Sequence, residues 1–252
     1  MKKFIVTIFA LSLIIMLTSC SKDNSSNEFF AWMDAYIATT SQAEDTIAVT
    51  LFFKEKPFSI EDVINISFLD LDSKDVSISS FDIQESEIPN KKYNSYDIIL
   101  TYSAGNIGMF KTTGVQINLS NSDKSLFYKI GDWTFDINNE DTELINTWSS
   151  PAASSNNKEL AYDYTMNAEG AKMTGIYYAP DSFVMSATGL ESNGKISLED
   201  YYNSPIVYIK TKINLELDDK RYINYGKGCY CGALDTTDAD IIEMSREQNS
   251  SS

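Results

Sequence analysis

Two cysteines separated by one residue are the residues of this chain best suited to chemistry. Cys229 and Cys231 flank Tyr230 in the glycine-rich segment 226–232 (GKGCYCG). Three interpretations are open: structural thiols or a structural disulfide in a core, a redox-active pair, and a metal site. The Cα atoms of residues i and i+2 in an extended strand are about 6.6–6.8 Å apart, at the limit for a disulfide. A disulfide here would need the glycines to bend the chain, and it would be easily reduced.

The composition excludes most metal and nucleophilic chemistry. The 252 residues include no His, which rules out Ser-His-Asp and Cys-His catalysis and every metal site with an imidazole ligand. A zinc site needs about four ligands, and the only other cysteine is Cys20, near the N-terminus. Acidic residues could complete a site at the cysteines, but no spacing indicates which, so we expect no metal there.

Three acidic segments are candidates for calcium. Residues 70–75 (DLDSKD) begin like a calcium loop, but the sixth position lacks glycine, the twelfth lacks glutamate, and Lys74 occupies a ligand position. Residues 136–143 (DINNEDTE) are rich in oxygen ligands without a fixed spacing, and Asp235, Asp238 and Asp240 form the third group. Solvated turns that keep the protein soluble are the favoured interpretation, and calcium stays open as a cofactor.

No motif nominates a catalytic centre. Two carboxylates about 5–10 Å apart can hydrolyse a glycoside without His, but nothing in the sequence selects such a pair from 36 acidic residues. Phosphate-binding glycine loops and nucleophile elbows are absent from the sequence. Tyr201, Tyr202, Tyr222 and Tyr225 could stack on sugars, although core packing is the favoured role. Whether the protein is an enzyme is left undecided, with a non-catalytic protein favoured.

The N-terminus has the order of features found in an export signal. Lys2 and Lys3 precede the apolar run 4–16 (FIVTIFALSLIIM), which is short for a bilayer span and suits a signal peptide. The run ends in LTSC at 17–20. This order resembles the lipobox leader of bacterial lipoproteins. The resemblance implies that residues 1–19 are removed and that Cys20 receives diacylglycerol, with acyl chains such as palmitate. An ordinary secretory signal with a chance cysteine is the alternative.

The charge of the chain limits how it can meet a membrane or a nucleic acid. Removal of the leader takes two lysines and no acidic residue, so the net charge falls from −16 to −18. Anionic lipid headgroups and nucleic-acid phosphates both repel such a chain. A two-chain lipid on Cys20 would therefore provide the membrane contact, with the polar segment 20–27 as a tether. We expect no nucleic acid partner and a lipid-anchored, extracytoplasmic location at the cell membrane.

The secondary structure pattern is that of a β protein after a short lead-in. Asn27 could cap a short helix with Phe29, Trp32, Met33, Tyr36 and Ile37 along one stripe, and a strand or irregular lead-in is the alternative. Short apolar segments separated by polar turns then indicate antiparallel sandwiches. Those segments are 46–53, 63–69, 76–83, 96–102, 114–119, 126–137, 160–166, 172–178, 182–188 and 205–217.

A linker and an internal similarity favour two domains in tandem. Residues 149–157 (SSPAASSNN) are small, polar and proline-containing, as in a linker. The sequence Ile-Asn-Leu followed by Asp-Lys occurs at 117–124 and again at 213–220, an offset of 96. We therefore expect two immunoglobulin-like β-sandwich domains, 28–148 (with the helical lead-in) and 158–238, and a polar tail at 239–252. When the two stretches are aligned at this offset, Cys229 corresponds to Trp133 and Cys231 to Phe135, which favours core positions for the cysteines.

Together these features predict a membrane-anchored lipoprotein that is a non-catalytic binding or structural module of the cell envelope. Its expected partner is another protein or a wall polymer, because the loops and faces of β-sandwiches are common binding surfaces. Two alternatives remain open. One is a carboxylate-dependent hydrolase of wall glycan, and the other is a thiol-disulfide protein that uses Cys229 and Cys231.

Overall fold

The structure is a computed structural model that describes residues 29–31, 33–85, 94–139, 142–150, 153–154 and 158–232. The predicted leader 1–19, the lipidated Cys20 with its tether, and the tail 239–252 lie outside the described residues. Within the described residues there are eighteen strands and one 3-10 turn, Ile60–Asp62. This part of the chain holds no helix long and apolar enough to cross a membrane. The prediction of a mainly β protein is confirmed.

In chain order the strands are β1 (Phe29–Phe30), β2 (Met33–Thr40), β3 (Glu44–Phe53), β4 (Val63–Phe68), β5 (Val76–Glu85), β6 (Asn94–Ala104), β7 (Gly108–Leu119), β8 (Leu126–Asn138), β9 (Ile145–Ser149), β10 (Ala153–Ser154), β11 (Glu159–Met166), β12 (Lys172–Ala179), β13 (Ser182–Met185), β14 (Asn193–Ser197), β15 (Ile206–Lys210), β16 (Lys212–Leu217), β17 (Lys220–Tyr225) and β18 (Cys229–Gly232).

These strands form four sheets. One sheet has the order β1-β3-β6-β5, and the largest has seven strands in the order β10-β18-β15-β2-β8-β7-β4. A three-stranded sheet, β14-β11-β9, and a four-stranded sheet, β13-β12-β16-β17, complete the set. Most neighbours are antiparallel, but β2 is parallel to both of its neighbours, β15 and β8. The sheet with seven strands is therefore mixed.

Two hydrophobic cores lie on opposite faces of the seven-stranded sheet. The first core fills the space between that sheet and β3, β5 and β6, and it includes Trp133 and Phe135 of β8. The second core lies on the other face, against β9, β11, β12, β14 and β16. Side chains of a strand alternate between faces, so β2 and β15 contribute to both cores.

The predicted helical lead-in is wrong, because Met33–Thr40 is strand β2. Met33, Ala35 and Ile37 belong to the first core, whereas Tyr36 and Ala38 belong to the second. A strand buried on both faces shows no polar alternation, so apolar residues also occur at helical spacing. Trp32 of the predicted stripe and the predicted cap, Asn27, lie outside the described residues.

The predicted linker does not separate two domains in this structure. Strand β2, from before the linker, pairs with β15, from after it, with Met33 opposite Ile206. Within the linker itself, Ala153–Ser154 form β10 and pair with β18. The expected division into 28–148 and 158–238 is therefore not reproduced by the sheets, which take strands from both sides of it.

The predicted strand segment 205–217 is interrupted in the structure. It divides at Thr211, so that β15 joins the seven-stranded sheet and β16 pairs with β12. Thr211 is itself buried. The sequence shows no turn signal there, because one strand leaves a sheet and continues almost directly into another. On the side away from β2, β15 pairs with β18.

The position of Ile37 yields a test of the shared sheet. We expect Ile37→Ala to lower the free energy of unfolding by about 2–5 kcal/mol, since a fully buried side chain of the central strand is truncated. The matched variant is Ile64→Ala in β4, where the side chain is 62% exposed, and its expected change is below about 0.5 kcal/mol. Urea unfolding followed by circular dichroism measures both values. Equal losses would contradict the central position of β2.

Candidate functional site

The two cysteines of β18 are unlinked thiols buried in the second core. Cys229 and Cys231 are 5% and 1% exposed, and their sulfur atoms lie 3.7 Å apart. Ser150 Oγ lies 3.2 Å from Cys229 Sγ. Both side chains point to the same face of the strand, next to Val207 and Ile209 of β15 in the same core. This arrangement agrees with the interpretation of the cysteines as core residues.

The close approach of the two sulfur atoms makes their chemistry unequal. The hydrogen bond with Cys229, together with burial, raises the pKa of Cys231 far above its ordinary value. A second thiolate beside a first would also be repelled by it. At most one of the two thiols can therefore ionise readily, and a substrate disulfide would have to enter the core to meet it.

No group of three or more Cys, Asp or Glu residues within the described ranges is placed to hold a metal ion. In the loop 70–75, Asp72 accepts a hydrogen bond from the backbone N–H of Lys74, which lowers the pKa of that carboxyl. Asp75 accepts one from Asn106 Nδ2. The carboxylate of Asp72 thus stabilises the turn, and that of Asp75 joins the turn to the segment between β6 and β7. Asp235, Asp238 and Asp240, the third predicted group, lie outside the described residues.

The acidic segment 136–143 begins with a buried carboxylate that pairs with a lysine. Asp136 Oδ2 accepts hydrogen bonds from Tyr36 Oη at 2.6 Å and from Lys212 Nζ at 2.5 Å. Asn138 Nδ2 donates to the other oxygen at 2.9 Å. The ammonium of Lys212 also lies 4.7 Å from the ring centre of Tyr177. This cluster ties β2 and β8 to β16 and leaves the carboxylate fully engaged.

A second buried carboxylate, Asp34, fastens strand β8 and the loop before β15 to the start of β2. Its oxygens accept hydrogen bonds from the backbone N–H groups of Asp132 at 2.8 Å and Ser204 at 3.1 Å. Burial raises the pKa of Asp34, and the two hydrogen bonds oppose that change. The carboxylates of Asp34 and Asp136 are thus both occupied by hydrogen bonds that join separate parts of the fold.

The predicted tyrosine group does not form one exposed platform. Tyr202 is buried and donates its hydroxyl to the carbonyl of Tyr178. Tyr201 is exposed and packs edge-on against Tyr178. Tyr222 and Tyr225 lie on β17 and pack at the margin of the second core. Core packing, the role that the sequence favoured, is observed for Tyr202, Tyr222 and Tyr225 but not for the exposed Tyr201.

The face of β18 opposite the cysteines borders a polar cleft of about 380 Å³. Asp45, Thr46, Tyr208, Lys210, Gly226, Lys227, Gly228 and Tyr230 line it. Asp45 of β3 and Lys210 of β15 form an ion pair of 2.6 Å. This pair links the sheet β1-β3-β6-β5 to the seven-stranded sheet, and these two sheets, with the first core between them, are called the first sandwich. Tyr208 and Tyr230 meet edge to face with ring centres 4.9 Å apart. This cleft is the candidate functional site.

The floor of the cleft requires glycine. A Cβ atom built on Gly228 would lie 1.8 Å from Tyr208 Oη. A Cβ atom on Gly226 would lie 2.3 Å from Thr211 Oγ1 and 2.8 Å from Trp148 Nε1. The chain can therefore pass over Tyr208, Thr211 and Trp148 only without side chains at these two positions. The glycines around the cysteines serve this close approach.

Tyr230 anchors the cleft to the opposite sheet through its hydroxyl. The backbone N–H of Ala48 donates to Tyr230 Oη at 2.9 Å, and the hydroxyl donates to the carbonyl of Ala48 at 3.1 Å. Tyr230 thus satisfies both backbone groups of a β3 residue, as a neighbouring strand would. The residue between the cysteines, and not the cysteines, faces the candidate site.

Sequence reasoning identified the segment 226–232 but missed Asp45, Tyr208 and Lys210. These three residues lie on β3 and β15, more than 150 positions apart along the chain, and read as ordinary strand residues. Only the pairing of β15 with both β2 and β18 brings them together. The sole available signal was charge: Asp45 and Lys210 are charged residues at the ends of strongly apolar strands.

Comparisons with known proteins assign no family. No protein-family model matches the chain, and no curated protein matches it. The chain is similar to a chimeric titin Z1Z2 tandem functionalized with a GRGDS peptide from fibronectin, at 8% identity and a TM-score of 0.21, over 81% of this chain and 97% of that one. It is also similar to a DUF3823 family protein from Bacteroides ovatus, at 11% identity and a TM-score of 0.26, over 67% and 97%. These low TM-scores support no argument about fold or function.

Removal of one hydroxyl tests the anchoring role of Tyr230. We expect Tyr230→Phe to lower the free energy of unfolding by about 1–3 kcal/mol, because the N–H and carbonyl of Ala48 both lose their partner. Tyr222→Phe, at the margin of the second core, is the matched control with an expected change below about 0.5 kcal/mol. Chemical denaturation measures both. An unchanged Tyr230→Phe midpoint would contradict the role of the hydroxyl.

The burial of the thiols predicts slow labelling. The labelling is measured in the Cys20→Ala variant, which leaves Cys229 and Cys231 as its cysteines. We expect these two thiols to react with a disulfide reagent at least about 100-fold more slowly in the folded protein than in guanidinium chloride, because they are shielded in the core. Release of the thiol chromophore over time measures this rate. Rapid labelling of the folded protein would instead indicate an accessible redox pair.

Proposed function

We propose that this protein is a bacterial lipoprotein, anchored by lipid on Cys20 at the extracytoplasmic side of the cell membrane, where it acts as a non-catalytic binding module. The observation that carries the anchoring is the leader: Lys2 and Lys3, the apolar run 4–16, and LTSC at 17–20. A diacylglycerol thioether at Cys20 places two acyl chains in the bilayer, and two chains give stable anchoring.

The charge of the mature chain supports a lipid anchor over a surface contact. At −18, the protein would be repelled by anionic headgroups. The polar segment 20–27 would then separate the folded part from the lipid surface. In this proposal the protein body faces away from the membrane, where it can meet a soluble ligand, another protein or a wall polymer.

A binding role is supported by the way the chemically capable residues are used. The buried carboxylates of Asp34 and Asp136 are occupied by hydrogen bonds within the fold. The thiols of Cys229 and Cys231 are enclosed in the second core. The cleft beside Lys210 and Lys227 is one polar concavity on the described part of the chain where a ligand could bind. We further propose that the first sandwich is immunoglobulin-like, since an antiparallel sheet packs over a larger sheet across one core.

Substitution of Cys20 tests the anchor. In a bacterial host, we expect the wild-type chain to lose residues 1–19, to gain the mass of a diacylglycerol on Cys20, and to partition into the detergent phase. Cys20→Ala removes the sulfur that carries the lipid, so the variant is expected to lack the added mass and to retain its leader. Intact-mass spectrometry of the two purified proteins distinguishes these states.

The double variant Cys229→Ala/Cys231→Ala is the matched control, because it removes the two cysteines that do not follow the leader and leaves Cys20 in place. It should be processed and lipidated like the wild type. A wild-type chain cleaved elsewhere, or cleaved before Cys20 without lipid, would overturn the lipoprotein proposal.

A further inference from the structure

We infer that Cys229 and Cys231 form a two-coordinate site for a soft monovalent metal ion, copper(I). This inference goes beyond the proposed function and does not depend on it. It is carried by two sulfur atoms that converge on one face of β18. The small number of ligands around them and the apolar surroundings of the pair then select the ion.

The two sulfur atoms are placed to share one ion. Cys229 and Cys231 point to the same face of their strand, and their sulfur atoms lie 3.7 Å apart. A bond between a thiolate and zinc is about 2.3 Å long, so one ion of similar size can bridge sulfur atoms that are up to about 4.6 Å apart. The pair lies within this limit, so an ion can bind to both sulfur atoms without a movement of the backbone.

The number and kind of the ligands select the ion. No third Cys, Asp or Glu within the described ranges is placed beside the pair, and the sequence contains no His. Structural zinc requires about four ligands, and calcium and magnesium bind about six or more oxygen atoms. Copper(I) has a filled d shell, prefers soft sulfur ligands, and forms stable complexes with two thiolates alone. Two cysteines are therefore a complete ligand set for copper(I) and an incomplete one for the other three ions.

The side chains around the sulfur atoms keep water away from such an ion. Val207 and Ile209 of β15 are fully buried and lie opposite Cys231 and Cys229 in the strand pairing. An apolar shell limits the access of solvent to a metal and so controls its redox behaviour. Copper(II) prefers a tetragonal set of nitrogen and oxygen ligands, which the described residues do not provide here. The surroundings therefore favour the lower oxidation state.

Binding exchanges two protons for one ion. Copper(I) displaces the protons of both thiols into solvent, and the resulting bis-thiolate complex carries one negative charge. Ser150 is a polar residue placed to meet that charge, because its Oγ lies 3.2 Å from Cys229 Sγ. The Ser150 hydroxyl donates to the carbonyl of Ala161 at 2.7 Å, and it can rotate to donate to the thiolate of Cys229.

The ion can reach the pair from the edge of the seven-stranded sheet. The short strand β10 pairs with Cys231 and Gly232 at that edge, through Ala153 and Ser154. Cys229 is not among the residues that β10 pairs with, and its side chain is 5% exposed. An ion therefore meets Cys229 first and Cys231 behind it. Such a narrow approach admits an ion and excludes a bulky disulfide reagent.

Competition with a copper(I) chelator tests the inference. The full chain carrying Cys20→Ala, called the parent protein, is titrated with copper(I) in mild detergent, without oxygen, against the coloured chelator bicinchoninate. We expect the parent protein to withdraw one copper(I) per chain from the chelator. Zinc(II) offered instead should be lost on gel filtration. X-ray absorption of the loaded parent protein should show copper bonded to two sulfur atoms and to no nitrogen or oxygen atom.

Variants of single sulfur atoms make the test specific to the pair. Cys229→Ser and Cys231→Ser each remove half of the ligand set and are expected to leave the copper(I) with the chelator. Met185→Leu is the matched control, because it removes an exposed sulfur atom on β13, and it should bind one copper(I) like the parent protein. Circular dichroism identifies the variants that are folded. The X-ray absorption result is obtained from the parent protein and so does not depend on how the variants fold.

Three results would overturn the inference. They are copper(I) left with the chelator by the parent protein, nitrogen or oxygen atoms bonded to the copper, and undiminished copper(I) binding by either folded cysteine variant. Lipidation of Cys20 is measured separately by mass on the wild-type chain. A lipidated chain whose parent protein binds no copper(I) refutes the metal site and leaves the proposed lipoprotein function intact.

Discussion

Strand β2 is the element on which the rest of the structure depends. It is hydrogen-bonded in parallel to β15 on one side and to β8 on the other. Its side chains are buried on both faces, so each face belongs to a different core. Burial of each large apolar side chain contributes about 1.5–3 kcal/mol. The two cores are stabilised through one strand, and neither is complete without it.

The same alternation assigns opposite roles to neighbouring residues of β18. Cys229 and Cys231 point into the second core, and Tyr230 points to the other face and reaches β3. The cleft therefore forms where the shared sheet meets the antiparallel sheet of the first sandwich. Its position at this junction explains why an ion pair between β3 and β15 closes one side of it.

Sequence patterns predicted the strands whose two faces differ. Strands β3 to β6 alternate between core and solvent, and their segments were recognised on that basis. Strand β2 was mistaken for a helix because both faces are buried, and the alternation vanishes in such a strand. The leader 1–19 and the tail 239–252 lie outside the described residues, so the predictions for both segments stay predictions.

The candidate site was only partly foreseeable for a different physical reason. The glycines at 226 and 228 were visible as an unusual local composition, but their purpose depends on Tyr208, Thr211 and Trp148. Those contacts are set by strand pairing between distant parts of the chain. Local spacing carries no information about such pairing, and the internal similarity at an offset of 96 suggested two separate sandwiches instead of one shared sheet.

The parallel pairing of β2 with β15 also sets the order in which the chain can fold. Met33 is among the first residues of the body to be synthesised, yet its partner Ile206 follows about two-thirds of the chain later. Such a topology has a high contact order and folds slowly. Until the C-terminal strands arrive, a strand that is apolar on both faces has an open edge, which is the type of segment that aggregates or recruits a chaperone. The central strand of the finished protein is thus a vulnerable segment of the nascent one.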